Sequence, residues 1–409
     1  MMAERDRKDG SPSLGYAVFA GFAATFMGIG ISRFAYTPLV PVVIDAGWFD
    51  EAQAAYLGAA NLLGYLLGAI SAHRVSLRFG AEPTMRVGLL VVAASYAVCS
   101  APLAFAWFFA WRFAAGLTGA WLMVLAAPWV LARTPSAYRG RAGALVFTGI
   151  GGGVLLSATL VPALAAVSPS AAWLSLAVLA GAVSIAAWPA LRRQPDATGR
   201  DMPDPADAAT NTGGSGFVGR AVALVLSAYV LFAVGFVPHT VFWVDYLARG
   251  RDLGMAVGGT QWALFGAGSV AGPLITGWVA DRIGFRRALV ATFSAMGVAT
   301  GLPFVVPGLL AVSVSSVVVG AATPAVVALT SGYLGSLVGA ARHRRVWGSA
   351  TALFSVAQAC AGYGMSATFD LTRAYAPLFL FAAGALLVGG LCTWLVPSRG
   401  RMEPQMKAD

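Results

Sequence analysis

The chain has 409 residues, of which 58% are hydrophobic and only 11% are charged, against about 25% charged in an ordinary soluble domain. So few charges cannot cover a soluble globule of this size, which excludes a soluble enzyme. The net charge of +10 comes from 25 Arg and two Lys scattered through short polar segments, not from the basic patch on a soluble face that a nucleic-acid reader needs. Cys99, Cys360 and Cys392 lie in apolar stretches without partners at metal-ligand spacing. They are expected to be buried and reduced, and no metal or other cofactor is expected.

In chain order, residues 1–13 are polar, and the apolar run that follows is far longer than the 7–15 residues of a secretory signal core, so it reads as a retained membrane helix. A bilayer core of about 30 Å takes roughly 20 apolar residues in a helix. Runs of that kind fall at 15–44, 52–72, 84–102, 104–132, 142–167 and 171–191. A polar stretch follows at 192–216, with three prolines, four aspartates and the run Gly213-Gly214-Ser215-Gly216, the composition of a flexible linker. Six more runs come at 217–245, 256–280, 287–306, 309–338, 346–368 and 375–396. Stretches such as Leu89–Val98 lack the alternation of a membrane β-barrel strand. The expectation is an all-α membrane protein of twelve transmembrane helices, with an N-terminal bundle at 1–191, the linker, and a C-terminal bundle at 217–409.

Twelve crossings put 22 of the 27 basic residues on the side of both termini and leave only Arg249, Arg251 and Arg373 on the other. Basic loops stay cytoplasmic, so both termini and the linker are expected in the cytoplasm of a bacterial cell, with the protein in its inner membrane. The halves also share an offset. Pro38 and Asp45 are spaced like Pro238 and Asp245, while Arg78-Phe79-Gly80, Gly116 and Arg141 precede Arg282-Ile283-Gly284, Gly320 and Arg345 by 204 residues. Two similar bundles of six helices follow.

The segment Gly277-Trp278-Val279-Ala280-Asp281-Arg282-Ile283-Gly284-Phe285-Arg286-Arg287 resembles the loop signature of the major facilitator superfamily, and Arg112, Gly116 and Gly119 resemble its second motif. The first helix, Gly30-Ile31-Ser32-Arg33-Phe34-Ala35-Tyr36-Thr37-Pro38, resembles a poorly characterised bacterial branch of that superfamily. The resemblance implies the major facilitator fold, alternating access, and a cytoplasmic gate built from Gly277, Asp281, Arg282, Gly284, Arg286 and Arg287. It also implies a cavity-side Arg112 associated with proton coupling. Two features depart from the pattern. Leu77 stands where Asp281 stands in the second half, and helix 5 has Gly149, Gly151, Gly152 and Gly153 without the Gly-Pro pair of the antiporter motif.

Arg33 and Arg112 fall on neither side but lie inside helices, and the acids lie in termini, loops or helix ends. A charge at a helix centre costs about 2.5–3.5 kcal/mol on insertion scales. A substrate anion is therefore one candidate for the missing counter-charge of Arg33, with Tyr36 one turn away. The alternative is bonding to helix carbonyls, and the same two readings hold for Arg112. His239 is the only histidine well inside a helix, and it is a proton-carrier candidate by elimination. Gln261 and Gln358, with Asn61, Trp262 and Tyr363, either line a cavity or join helices. Trp107, Trp111, Trp243 and Trp394 suit the interfacial belt.

No Walker sequence for holding nucleotide phosphates is present. The expected function is a secondary transporter of a small solute, an organic anion, with a proton or other ion coupled and the bilayer as its environment. No nucleic acid is expected as partner, and the expected state is a monomer. Proton-exchange export of neutral or amphipathic compounds is the alternative. A transporter-like sensor or scaffold is the rival of another class, and a membrane-embedded hydrolase lacks a carboxylate to orient His239.

Overall fold

The computed structural model describes residues 14–134, 139–191 and 215–396, and the regular structure in them is helical throughout. In lipid each backbone polar group needs a partner within the protein, and a helix supplies one from its own segment. Twelve rods follow one another: α1 (Leu14–Asp45), α2 (Glu51–Phe79), α3 (Ala81–Val98), α4 (Phe105–Ala132), α5 (Arg139–Ala165), α6 (Pro169–Ala187), α7 (215–250), α8 (Gly254–Ile283), α9 (Phe285–Val305), α10 (Leu309–Val338), α11 (Ala340–Thr372) and α12 (Ala376–Trp394). Ten are long and apolar enough to cross a bilayer. The other two, α3 and α11, are helices of 18 and 33 residues diluted by polar side chains such as Glu82, Arg86, Arg342 and Asp370.

Several rods outrun their apolar runs. α2 continues to Phe79, and α11 covers Ala340–Thr372, because a helix need not stop where its side chains turn polar and can solvate their heads. α7 starts at Ser215, so all but the last two residues of the expected linker lie outside the described residues.

The internal repeat is visible as two matching seams. Gly64 and Gly68 of α2 lie against the backbone of Phe113 and Leu117 in α4, while Gly268 and Gly272 of α8 lie against Val317 and Ala321 in α10. Reciprocally, Gly116 meets the backbone of Asn61 and Gly320 meets that of Phe265. Each residue of one seam is 204 positions from its counterpart in the other. At these places a Cβ would overlap the facing chain, and close approach of this kind is how helices associate in lipid.

Between the halves, α5 packs on α8 and α2 on α11. Gly151 lies against Val270 and Gly266, Gly259 against Pro162, and Gly362 against Leu62. The ends of the described chain share one face, called here the terminal face.

The pseudo-equivalent rods α1 and α7 are both broken. α1 passes through π-helical turns at Phe26–Ile31 and a 3₁₀ turn at Phe34–Tyr36 before it resumes at Leu39–Asp45. α7 is interrupted at Phe236 and Phe242 and ends in a π-helical turn, Tyr246–Gly250. Pro38 and Pro238 sit at these interruptions and lack the N–H a continuous helix would use.

Two expectations are corrected. Only Cys99 is buried; Cys360 is exposed and Cys392 partly so, all three as free thiols. An apolar run says nothing of burial when the exposed face meets lipid. Trp243 is fully buried and not interfacial, donating from Nε1 to Ser316 Oγ at 3.0 Å.

Candidate functional site

The break in α1 leaves the Ser32 carbonyl without a helical partner, and Arg112 of α4 fills the vacancy. Its Nη1 donates to Ser32 O at 2.8 Å, and Asn61 Nδ2 of α2 donates to the same oxygen at 3.1 Å. The Arg112 guanidinium also lies over the Tyr36 ring, 4.3 Å from its centroid, a cation–π contact strengthened by desolvation. Tyr36 in turn donates its hydroxyl to Ala54 O at 2.9 Å. Arg112 and Tyr36 thus stitch the unwound segment of α1 to α2 and α4. Of the two readings open for Arg112, the bond found is the one to a helix carbonyl.

Arg33 is placed differently. It is 6% exposed and donates Nη1 to Gln358 Oε1 of α11 at 2.8 Å, a bond across the two halves. Its guanidinium stacks over Phe236 of α7 at 4.9 Å. Its Nε and Nη2, together with Gln358 Nε2, are buried without a hydrogen-bond partner. Three donors with no acceptor therefore surround one cross-half bond, and a buried donor left unmade costs about 1–3 kcal/mol, more when charged. From Phe236 a column of rings runs toward the terminal face through Phe354, Tyr229 and Trp347, with successive centroids 5.8, 4.9 and 5.5 Å apart.

His239 is fully buried in the second bundle, with Nε2 3.0 Å from Ser315 Oγ and Nδ1 unpartnered. Its ring packs on Trp243 and Phe379, with centroids at 4.5 and 5.2 Å. Gln261 has both ends engaged: Nε2 donates to Ser313 Oγ at 3.0 Å and Oε1 accepts from Ser316 Oγ at 3.1 Å. These bonds join α8 to α10. Among the candidate residues, the structure brings together Arg33 with Gln358 and Arg112 with Tyr36. It holds His239 and Gln261 apart from both pairs.

On the terminal face, Arg282 lies over the Trp278 ring and Arg286 donates to Trp394 O. Gly284 adopts φ 81°, the conformation that lets α8 turn directly into α9. Nothing lies within 4 Å of a Cβ built on Gly277, and Arg287 is exposed. The side chain of Asp281 is outside the described residues.

The bridging ion pairs among the described residues are on the opposite face. Arg249 at the end of α7 reaches Asp45 Oδ1 at 3.0 Å, Glu51 Oε1 at 2.9 Å and Asp245 Oδ1 at 3.3 Å. Arg373 joins Glu51 Oε2 at 3.2 Å and Asp370 Oδ1 at 2.9 Å. Asp45 and Glu51 belong to the first half, so both arginines tie the halves together. Sequence reading missed this cluster. Its signal was the trio Arg249, Arg251 and Arg373, the exceptions to the charge bias.

A family model described as "Uncharacterised MFS-type transporter YbfB" matches residues 25–394. The chain belongs to this family. It is a multi-pass membrane transporter and not an enzyme. Among solved structures it is similar to one titled "Crystal structure of D-xylose-proton symporter", with a TM-score of 0.73 and 16% identity. The match covers 94% of this chain and 97% of that one, and it shows the major facilitator fold alone. No curated protein matches the chain. Secondary transport of a small solute is thus the function at the level of the family.

Proposed function

We propose that the protein moves a small organic anion across the bacterial cytoplasmic membrane by alternating access, coupled to an ion, with both termini in the cytoplasm. The observation that carries this reading is the trio of buried donors on Arg33 and Gln358 with no acceptor, placed where the halves meet. A carboxylate offers acceptors only and suits a guanidinium fork. The site also straddles the halves, so a solute bound there interacts differently when they separate, which alternating access requires. The 22 basic residues on the side of the termini support the orientation.

The ring column Phe236–Phe354–Tyr229–Trp347 favours a solute with a flat apolar part. It is also the observation in favour of the alternative, export of amphipathic compounds. On the terminal face, Gly277, Asp281, Arg282, Gly284, Arg286 and Arg287 serve as the gate that closes in the other conformation. The open surroundings of Gly277 are in keeping with a face that is unclosed in this state.

A ligand-stabilisation screen of the purified protein with carboxylates, sugars and cationic drugs tests the reading, since specific binding raises thermal stability. A carboxylate should raise the melting temperature of the wild type and leave Arg33→Gln unmoved. Stabilisation by sugars or cations, equal in wild type and Arg33→Gln, would contradict it.

A further inference from the structure

Asp245 is the most secluded carboxylate among the described residues, 1% exposed, and it sits four positions beyond the apolar span Val218–Val241 of α7. Its Oδ2 accepts from Tyr375 Oη at 2.6 Å, and its Oδ1 faces Arg249 Nη1 at 3.3 Å. The other charged groups around it belong to the elements packed on α7. Glu51 opens α2, Asp45 ends α1 and shares Arg249, and the Tyr36 ring system lies within electrostatic reach. Asp370 of α11 and Arg373 just beyond it act on it through Glu51, while Arg251 is turned to Tyr246 Oη at 3.2 Å. Four carboxylates, Asp45, Glu51, Asp245 and Asp370, thus share two guanidiniums. One negative charge is in excess for each guanidinium, and Asp245 has the least water to solvate it.

We propose that Asp245 is a proton-binding site of this transporter and that loading it with a proton lets the halves close over the face opposite the termini. The proton comes from the solution on that face and goes onto the Asp245 carboxylate. The neutral carboxyl can then be enclosed beside Tyr375, and Arg249 is left to Asp45 and Glu51 as the latch between halves. When the face opens, water reaches the carboxyl and the proton leaves.

Burial holds the Asp245 carboxyl above the usual carboxylate range, against the opposing pull of the Tyr375 hydroxyl and Arg249. Burial and the adjoining Asp245 push the Tyr375 phenol up, so Tyr375 keeps its proton and donates it. A carboxyl that binds its proton more tightly when enclosed favours the closed state when protonated. That advantage is complete below the solvated carboxyl's pKa and is lost as pH rises through the enclosed one's.

The proposal rests on the alternating-access reading but not on the organic-anion reading, and its test uses no solute, so the two can fail separately. Spin labels at Ala46→Cys and Leu371→Cys, in a Cys360→Ser, Cys392→Ser background, report the separation of the halves at this face by double electron–electron resonance. The full chain is measured in nanodiscs between about pH 5 and 8. The ratio of short to long distances should rise as pH falls, by about tenfold for each unit by which enclosure lifts the carboxyl. Asp245→Asn should hold the ratio at the low-pH value throughout. Tyr375→Phe removes a bond to the ionised form, so it should move the midpoint to higher pH. A pH response that survives in Asp245→Asn, a face that opens as pH falls, or no response in the wild type would overturn the proposal. Should Asp245→Asn fail to fold, an unchanged midpoint in Tyr375→Phe would overturn it alone.

Discussion

Two interior arginines of the same sequence character differ in how far their donors are met, and their substitutions should behave differently. Arg112 makes a charge-assisted bond to the Ser32 carbonyl and covers Tyr36. Arg112→Ala removes both and leaves that carbonyl to Asn61 alone, a loss of about 2–3 kcal/mol in unfolding measurements on purified protein. Arg33 holds two unpartnered nitrogens in a buried site, against one, Nε, on Arg112, and Gln358 Nε2 beside it is unpartnered too. Arg33→Gln should leave stability unchanged or raise it by about 1 kcal/mol, since an unpaired buried charge costs more than it returns. It should also remove ligand-induced stabilisation. A residue whose loss strengthens the fold while removing binding is retained for function. The difference between the two arginines was not legible in the sequence. Arg112's partner is a main-chain oxygen freed by a helix break, and no inventory of side chains contains it.

At the scale of helices, the repeat was legible because close packing leaves glycines at a fixed offset, Gly116 and Gly320 being one such pair. Gly320→Ala sets a methyl against the Phe265 backbone, and should destabilise by about 1–3 kcal/mol in thermal or denaturant unfolding. Gly277 lies in open surroundings within α8. Gly277→Ala should therefore raise stability by up to about 1 kcal/mol through helix propensity. If the terminal face closes on Gly277 in the other state, the same substitution should slow solute flux. A variant that is more stable and equally fast would remove Gly277 from the gate. The end of α7 was illegible for a simple reason. The apolar run fades near residue 245, which reads as a helix leaving the membrane. The chain instead continues in broken turns that bury Trp243 and Asp245.

For the whole molecule, the fold could be read from run length and charge bias, which the bilayer enforces, and from the repeat, which close helix packing keeps visible. The contact between halves could not. Asp45 and Glu51 of the first half are far in the chain from Arg249 and Arg373 of the second, and these groups meet only when the bundles close. Glu51→Gln removes a carboxylate shared by Arg249 and Arg373. It should shift the population toward separation at the face opposite the termini, read as greater maleimide labelling of Tyr56→Cys, whose ring lies 6.2 Å from Tyr363 of the other half. Unaltered labelling would show that the pairs do not hold that face shut.

The central claim is that the solute is an anion received by Arg33 between two rocking halves. Flux into proteoliposomes of the carboxylate found by the stabilisation screen tests it most directly. Uptake should be measurable in the wild type and vanish in Arg33→Gln, a variant that remains folded. Uptake of undiminished rate in Arg33→Gln would contradict it.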